Sequence, residues 1–242
     1  MKRIISFILT AVMVFSLAAC GNEPSVPQST NEPDAALTQN STESVPANSQ
    51  TPGPDMTSGT DPATEAPSTE TRILVVYFSR TGEQYSVGVI DKGNTAIVAE
   101  MIAEKTGADL YEILPETDYP YTYSELTDVA KKEQSENARP AIKGELPDVS
   151  GYDTIFIGSP VWWGDWPMIM YTFFESVDLS GKKLVPFSTH EGSGLSGFDK
   201  KLASAVPGAE VLTGAAFRGG DCQNNKSKVE SSVSDWLNGL GY

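Results

Sequence analysis

The chain has 242 residues, with 17 Lys or Arg, 32 Asp or Glu and one His, which gives a formal net charge of −15. Nucleic-acid binding requires clustered cations that displace counterions from phosphates, so this acidic composition argues against a nucleic-acid partner. Two Cys and one His are too few for a Cys/His zinc site, an iron–sulfur site or a disulfide framework. No metal site is therefore expected.

Residues 1–19 predict a signal peptide, because Lys2 and Arg3 precede a short apolar run that ends in small residues. The sequence Leu-Ala-Ala-Cys at 17–20 resembles a bacterial lipobox. This resemblance implies that Cys20 becomes the lipidated first residue of the mature protein. An ordinary cleaved signal is the alternative.

Residues 20–71 predict a disordered tether behind the lipidated Cys20. Residues 21–71 contain eight Pro, eight Asp or Glu and sixteen Ser or Thr, without any Lys, Arg or aromatic residue. Such a segment cannot bury enough apolar surface to offset the ordering of its backbone. As a flexible chain it has an r.m.s. reach of roughly 36–43 Å. We therefore expect a domain held on the extracytoplasmic side of the cell membrane by its lipid anchor alone.

Residues 72–242 predict one domain in which strands alternate with helices. The segment 72–79 is a continuous apolar run rich in β-branched and aromatic residues, which is typical of a parallel strand buried on both faces. Four further strands are predicted at 109–114, 152–159, 183–189 and 209–217.

The helices are predicted from capping residues and apolar stripes. Asn94 is a candidate N-cap for a first helix that ends before Gly107. Further helices are predicted around Tyr123, Leu126 and Val129, over 167–177, over 198–205, and along the stripe Val229, Val233, Trp236, Leu237 and Leu240. Five strands interleaved with helices predict an α/β fold with an open doubly wound sheet, because a barrel would need eight repeats. Ligands of such sheets bind beyond the carboxyl ends of the strands, so the loops after Ser79, Ser159 and Thr189 are the candidate site.

The first loop runs from Ser79-Arg80-Thr81-Gly82 through an insertion, 83–93, to Asn94-Thr95 at a helix start. Hydroxyl groups, glycine and free N–H groups at a helix N-terminus favour a phosphate without a lysine. The absence of a Gly-Lys-Ser/Thr signature argues against a nucleoside-triphosphate loop. A well-capped helix with no ligand is the alternative.

The second loop, 159–167, contains three of the four Trp of the chain within five residues. Indole is costly to expose at this density, so we expect Trp162 or Trp163 to cover a flat apolar ligand. Core packing is the alternative for at least one of the three.

The third loop, 189–197, is rich in glycine and exposes backbone groups suited to the polar edge of a heterocycle. Residues 192–197 also match the pattern G-x-G-x-x-G, with Glu210 eighteen residues after the first glycine, so a nicotinamide dinucleotide is an alternative ligand. Only 45 residues follow Gly197, which are too few for the rest of a two-lobed dinucleotide fold.

Taken together, the order and strand context of the three loops resemble the flavodoxin family over essentially all of 72–242. The resemblance implies a flavodoxin-like open sheet of five parallel strands with helices on both faces, and FMN as the cofactor. It implies that the FMN-binding residues are Ser79, Arg80, Thr81, Gly82, Asn94 and Thr95 around the phosphate, Pro160, Trp162, Trp163 and Gly164 beside the ring, and Thr189, His190, Gly192 and Gly194 along its polar edge. The insertion 83–93 departs from the family pattern, and it leaves open which half of the first loop binds the phosphate and whether the insertion is a lid or a partner surface.

The flavin would supply the redox chemistry, and the protein would set its potential and access. Asp165 and Glu191 in the ring loops are expected to disfavour a negatively charged reduced flavin and to lower its potential. The family resemblance implies that Gly164 lets a peptide group reorient beside the ring. His190 is a weak candidate for a catalytic proton donor, with a passive polar loop residue as the alternative. Cys222 is either a reactive thiol or a passive loop residue.

These features predict an FMN-binding electron-transfer protein that exchanges electrons with redox partner proteins or quinones. The first alternative is an FMN-dependent NAD(P)H/quinone oxidoreductase. The second is a flavin-free binding module that keeps the fold for interaction.

Overall fold

The computed structural model describes residues 71–242, so the predicted signal peptide, Cys20 and nearly all of the tether lie outside the described residues. The strands are β1 (Ile73–Tyr77), β2 (Gly82–Gln84), β3 (Gly88–Ile90), β4 (Asp109–Glu112), β5 (Thr154–Pro160), β6 (Lys183–His190), β7 (Glu210–Val211) and β8 (Ala215–Arg218). The helices are α1 (Asn94–Thr106), α2 (Tyr123–Glu136), α3 (Met168–Ser176), α4 (Phe198–Ala205), α5 (Gly219–Asn224) and α6 (Lys226–Leu240). None of the helices within 71–242 combines the length and the apolar character that a membrane crossing requires.

The main sheet has the strand order β4-β1-β5-β6, with β7 and β8 one after the other along the outer edge of β6. All of these strands are parallel to their neighbours. The chain runs outward from β1 to β4 and then crosses back to β5 on the other side of β1. The direction of winding therefore reverses between β1 and β5, which makes the carboxyl ends of these two strands the switch point where ligands of such sheets bind.

Strand β1 is apolar throughout because both faces of the sheet are covered by helices. Leu74 and Val76 pack in one hydrophobic cluster with side chains of α3 and α4. Ile73 and Val75 pack in the other, with side chains of α1, α5 and α6. The predicted doubly wound α/β fold, with five sheet positions and helices on both faces, is confirmed.

The fifth predicted strand, 209–217, is wrong as a single element. Two short strands, β7 and β8, take its place, and three residues, 212–214, lie opposite the two residues Val185 and Pro186 of β6. The segment 212–214 thus has one residue more than the part of β6 that it faces, which makes it a β-bulge. Pro186 lacks the N–H that a continuous ladder requires at this position. A Cβ at Gly214 would lie 2.5 Å from the Pro186 carbonyl oxygen, so only glycine fits at this point of the bulge.

Three local features also differ from the sequence-based expectations. The insertion 83–93 contributes to an antiparallel hairpin, in which β2 pairs with β3. Helix α1 has Gly93 as its N-cap, so the prediction of Asn94 at that position is wrong by one residue. Helix α5 was not predicted at all, and Cys222 lies within it rather than in a loop.

The Cys222 thiol is fully buried in the cluster that α1, α5 and α6 form on the sheet. Burial raises the pKa of this thiol to about 12. The interpretation of Cys222 as a reactive thiol is therefore wrong for the folded protein, because the thiolate is the nucleophile and the native structure disfavours it.

We expect iodoacetamide at about pH 8 to leave Cys222 unmodified in the native protein, since the thiolate fraction there is about one in ten thousand. The modified fraction of the peptide that contains Cys222 is measured by mass spectrometry. Denaturant is the control, because unfolding exposes the thiol and should make its modification complete. Rapid modification under native conditions would contradict this burial.

Candidate functional site

A cavity of about 580 Å³ lies at the carboxyl ends of β1, β5 and β6, beside the first turn of α1. Ten of the fourteen residues predicted to bind the cofactor line it: Ser79, Arg80, Asn94, Thr95, Pro160, Trp162, Trp163, Thr189, His190 and Gly192. The three predicted loops therefore meet at one place. Among residues 71–242, no three His, Cys, Asp or Glu side chains are grouped as a metal ion would require.

The other four predicted residues do not line the cavity. Thr81 is exposed, and Gly82 packs against the Tyr121 backbone and ring. Gly164 lies in a tight turn that paired backbone bonds between Trp162 and Asp165 close, and its carbonyl accepts a bond from Lys201. The carbonyl of Gly194 accepts a bond from the Ser188 hydroxyl.

The first turn of α1 presents free backbone donors at one end of the cavity. Ser79 Oγ accepts a hydrogen bond of 3.0 Å from the N–H of Ala96. The approach is so close that a Cβ at Gly93 would overlap Ser79 Oγ. Within the described part of the chain the N–H groups of Asn94 and Thr95 have no acceptor. Two backbone donors and the positive end of the helix dipole are thus available to an anion.

A buried hydroxyl pair joins the first loop to the third. Thr95 Oγ1 and Thr189 Oγ1 lie 2.8 Å apart, and both side chains are buried. Because one hydroxyl donates to the other, the start of α1 and the end of β6 are held in contact without a charged group.

Arg80 lines the cavity, but most of its donors are committed to backbone carbonyls. Its guanidinium donates to the carbonyls of Glu83 at 2.7 Å, Pro120 at 2.5 Å and Tyr121 at 2.5 Å. The Glu83 carboxylate in turn accepts the N–H of Tyr123 at 2.8 Å, at the start of α2. Arg80 and Glu83 therefore fasten the inserted hairpin to α2.

The hairpin and α2 form a wall of the cavity. The sequence left open whether the insertion is a lid or a partner surface, and it did not indicate that α2 lines the cavity. The lining residues outside the predicted set are Gln84, Tyr85, Val87, Tyr123, Leu126, Thr127, Ala130, Val161, Glu191 and Ser193. The spacing of Tyr123 and Leu126 was a signal for the helix, but it did not indicate that this face meets the hairpin. The rings of Tyr85 and Tyr123 lie 5.6 Å apart at the centroids.

The three clustered tryptophans have different environments. Trp166 is buried and stacks on Phe198 at 3.6 Å, so the core-packing alternative is correct for this residue. Trp162 packs edge-on against Tyr119 at 4.9 Å, beneath the cavity.

Trp163 is 53% exposed. Its Nε1–H donates to the Thr127 carbonyl, and Lys131 Nζ lies 4.8 Å from its ring centroid. Trp163 is therefore held firmly while much of its indole surface faces solvent and the cavity.

The third loop is held by two side chains of its own. His190 Nδ1 accepts the N–H of Gly192 at 2.9 Å, and burial lowers the pKa of this imidazole. The neutral ring then carries its proton on Nε2. The Glu191 carboxylate accepts the N–H of Gly220 at 2.5 Å and pairs with Arg218 at 3.0 Å.

Only one of the two carboxylates expected near the ring lines the cavity. Glu191 does so, and its charge is offset by Arg218. Asp165 points elsewhere: its carboxylate accepts the N–H of Trp166 and the Tyr171 hydroxyl and pairs with Lys201 at 3.3 Å. The geometry therefore does not support a contribution of Asp165 to the potential of a bound ring.

The fold and the cavity define an open doubly wound α/β domain with free backbone donors and an exposed indole at its switch point. A family model described as flavodoxin matches residues 72–239. A candidate flavoprotein from Bacteroides uniformis is 31% identical, with a TM-score of 0.57 over 69% of this chain and 98% of that one. A second, from Bacteroides eggerthii, is 30% identical, with a TM-score of 0.56 over 71% and 99%. No curated protein sequence matches the chain. The chain belongs to the flavodoxin family, as the three loops predicted.

The pKa of His190 is expected to lie below 6.5, because burial disfavours the imidazolium. As the pH falls below 6.5, the unfolded chain takes up a proton before the folded chain does. The contribution of His190 to the free energy of unfolding is therefore complete above pH 6.5 and is lost as the pH falls. His190 is the only His of the chain, so its imidazole proton signals report this pKa by NMR without assignment.

The control for the stability effect is His190→Gln, which removes the titration. The difference in the free energy of unfolding between the wild type and this variant should be constant above pH 6.5 and should change below it. A midpoint of the imidazole titration above 6.5 would contradict the buried, neutral His190.

Proposed function

We propose that the cavity binds FMN and that the protein is an electron-transfer flavoprotein. The observation that carries the proposal is that unsatisfied amides at the start of α1 and a firmly held, exposed indole line the same cavity. An anion and a flat apolar ring joined in one small molecule fit this arrangement. Bound FMN would supply the redox chemistry, and family membership supports this cofactor.

The phosphate would be held by neutral donors. The N–H groups of Asn94 and Thr95 are unsatisfied in the first turn of α1, and Gly93 lets Ser79 pack against the start of this helix. Helix N-termini bind phosphates in this way without a lysine. Arg80 would add charge from nearby rather than a bidentate contact, because most of its donors already bind carbonyls.

The ring would lie against Trp163, with the third loop along its polar edge. Lys131 lies over the Trp163 ring, and the exposed part of the indole remains for stacking. Since His190 Nδ1 is an acceptor, its Nε2–H is the donor that remains for a ring carbonyl. We assign His190 a hydrogen-bonding role rather than proton transfer, because its lowered pKa keeps it neutral.

The charge of the domain favours a protein partner over a pyridine dinucleotide. Residues 72–242 contain 15 Lys or Arg and 24 Asp or Glu, so their net charge is −9. Exposed Glu83 and Asp128 lie next to residues of the cavity wall, and the nearby Lys131 already contacts Trp163. The net negative charge of the domain would repel the phosphates of free NAD(P)H as they approach, whereas it would attract a redox partner with a basic face. We therefore favour an electron carrier over an NAD(P)H oxidoreductase.

We further propose that the protein is anchored through lipid on Cys20 at the extracytoplasmic face of the membrane. Thr71, the first described residue, lies with Lys183 and Glu210 at the amino ends of the strands, at the pole opposite the cavity. A tether that joins there leaves the cavity directed away from its point of attachment. Attachment at this pole therefore leaves the cavity accessible to redox partners.

FMN added to the purified protein is expected to bind one to one and to quench both its own emission and that of tryptophan. Trp163→Leu should weaken FMN binding by about tenfold, because the stacking surface is lost. Tyr121→Leu is the matched control: Tyr121 is 61% exposed but does not line the cavity, so its replacement should leave the affinity unchanged. Absence of quenching in the wild type would remove the FMN proposal and favour a flavin-free binding module.

The anchor is tested separately by expression in a bacterium with a labelled fatty acid. We expect the label on the wild type and sedimentation with membranes, and the loss of both in Cys20→Ser. A wild type without label, or a Cys20→Ser protein that still sediments with membranes, would contradict lipid anchoring at Cys20.

A further inference from the structure

Helix α5 contacts the anion-binding end of α1 through one side chain, Gln223. Its Nε2 lies 2.9 Å from the carbonyl oxygen of Lys92 and 2.7 Å from Oδ1 of Asn94. Gln223 itself does not line the cavity, whereas Asn94 does. The two residues are 129 positions apart in the chain, so only the fold brings them together.

The pair of contacts determines which way both amides face. A backbone carbonyl oxygen only accepts hydrogen bonds, so the Gln223 atom beside Lys92 must be the NH₂ nitrogen. The second hydrogen of the same nitrogen is directed at Asn94, which must therefore present its oxygen. It follows that Asn94 Nδ2, with two hydrogens, is the amide atom that Gln223 leaves free. Within the described residues no acceptor bonds to Asn94 Nδ2.

The start of α5 also leaves room for this amide. A Cβ at Gly219 would overlap Asn94 Nδ2 and would lie 3.0 Å from Glu191 Oε1. Glycine at 219 thus allows the Asn94 side chain to lie close against α5. The side chain of Asn94 therefore packs against α5, while the backbone N–H groups of Asn94 and Thr95 stay unsatisfied within the described residues.

We infer that Gln223 is a positioning residue: it orients the Asn94 amide so that its NH₂ group, and not its oxygen, faces the phosphate of FMN. The inference rests on the proposed function. With the amide reversed, Oδ1 would face the phosphate oxygens and repel them, and a donor would be lost at the same point. Gln223 therefore affects the binding of the phosphate without contacting the ligand. It is not expected to affect the binding of the flavin ring.

The test compares FMN with riboflavin, which has the same ring and no phosphate. In the wild type we expect FMN to bind more tightly than riboflavin. Gln223→Met keeps the length of the side chain and removes its donor, and it should weaken FMN binding by about tenfold while riboflavin binding changes by less than about twofold. Gln223→Glu removes the donor and also adds a negative charge near the phosphate, so it should weaken FMN binding further than Gln223→Met does.

Two controls separate positioning from damage to α5. Asn224→Met removes a neighbouring amide on the same helix, one that bonds to the Gly220 carbonyl and not to Asn94, and should leave the ratio of the two affinities unchanged. In an Asn94→Ala background, Gln223→Met should no longer affect FMN binding, because the group it orients is absent.

Three results would overturn the inference: an equal loss of FMN and riboflavin binding in Gln223→Met, an unchanged affinity ratio in both Gln223 variants, or the same tenfold effect in the Asn94→Ala background. A wild type that binds neither ligand would instead contradict the proposed function, and it is recognised before any variant is made.

Discussion

The hydrogen bond from the Ala96 N–H to Ser79 Oγ is the contact on which the cavity depends. It joins the end of β1 to the first turn of α1 across the whole insertion, and Gly93 allows the approach. The bond satisfies one of the free donors of the helix start and leaves those of Asn94 and Thr95 for a ligand. Because both ends of the first loop are held by this bond, the residues between them can form a hairpin without displacing α1.

The hairpin changes the role of the residue that precedes it. Arg80 is close enough to the start of α1 to line the cavity, yet its guanidinium turns to the carbonyls of Glu83, Pro120 and Tyr121. A guanidinium among three carbonyls holds the hairpin and the segment before α2 in one position. The site then has to bind its anion largely with uncharged donors, and this makes the orientation of each amide decisive. The free N–H groups of α1 are oriented by the helix itself, whereas the Asn94 side chain is oriented by Gln223.

The sequence predicted those parts of the molecule whose causes are local. The apolar run of β1, the free donors at the start of α1 and the cluster of indoles each depend on neighbouring residues, and together they predicted the sheet and the loops at its switch point. The resemblance of these loops to the flavodoxin family then implied the ten predicted residues that line the cavity. Helix α5 was not predicted because it begins with two glycines and has only six residues. Its stability comes from distant groups, since Cys222 is buried in the core and the Glu191 carboxylate accepts the Gly220 N–H.

The contact between the hairpin and α2 was missed for the same reason, and so was the bulge opposite Pro186. In each of them the deciding contact joins residues that are far apart in the chain. Tyr85 and Tyr123 are 38 positions apart and meet only because Arg80 and Glu83 bind the hairpin to α2. A spacing pattern reports which face of an element is apolar, but it carries no information on which other element covers that face.

The polarity of a parallel sheet relates the proposed anchor to the proposed chemistry. All strands of the main sheet run in the same direction, so the chain enters β1 at one pole and the three loops leave the strands at the other. Five residues of β1 separate the two poles by about 16 Å at the usual rise of a strand. This separation is shorter than the roughly 36–43 Å reach expected of a flexible tether of the predicted length. A tethered domain would therefore be free to turn over, and the net negative charge of the domain, rather than the point of attachment, would decide which partner meets the ring.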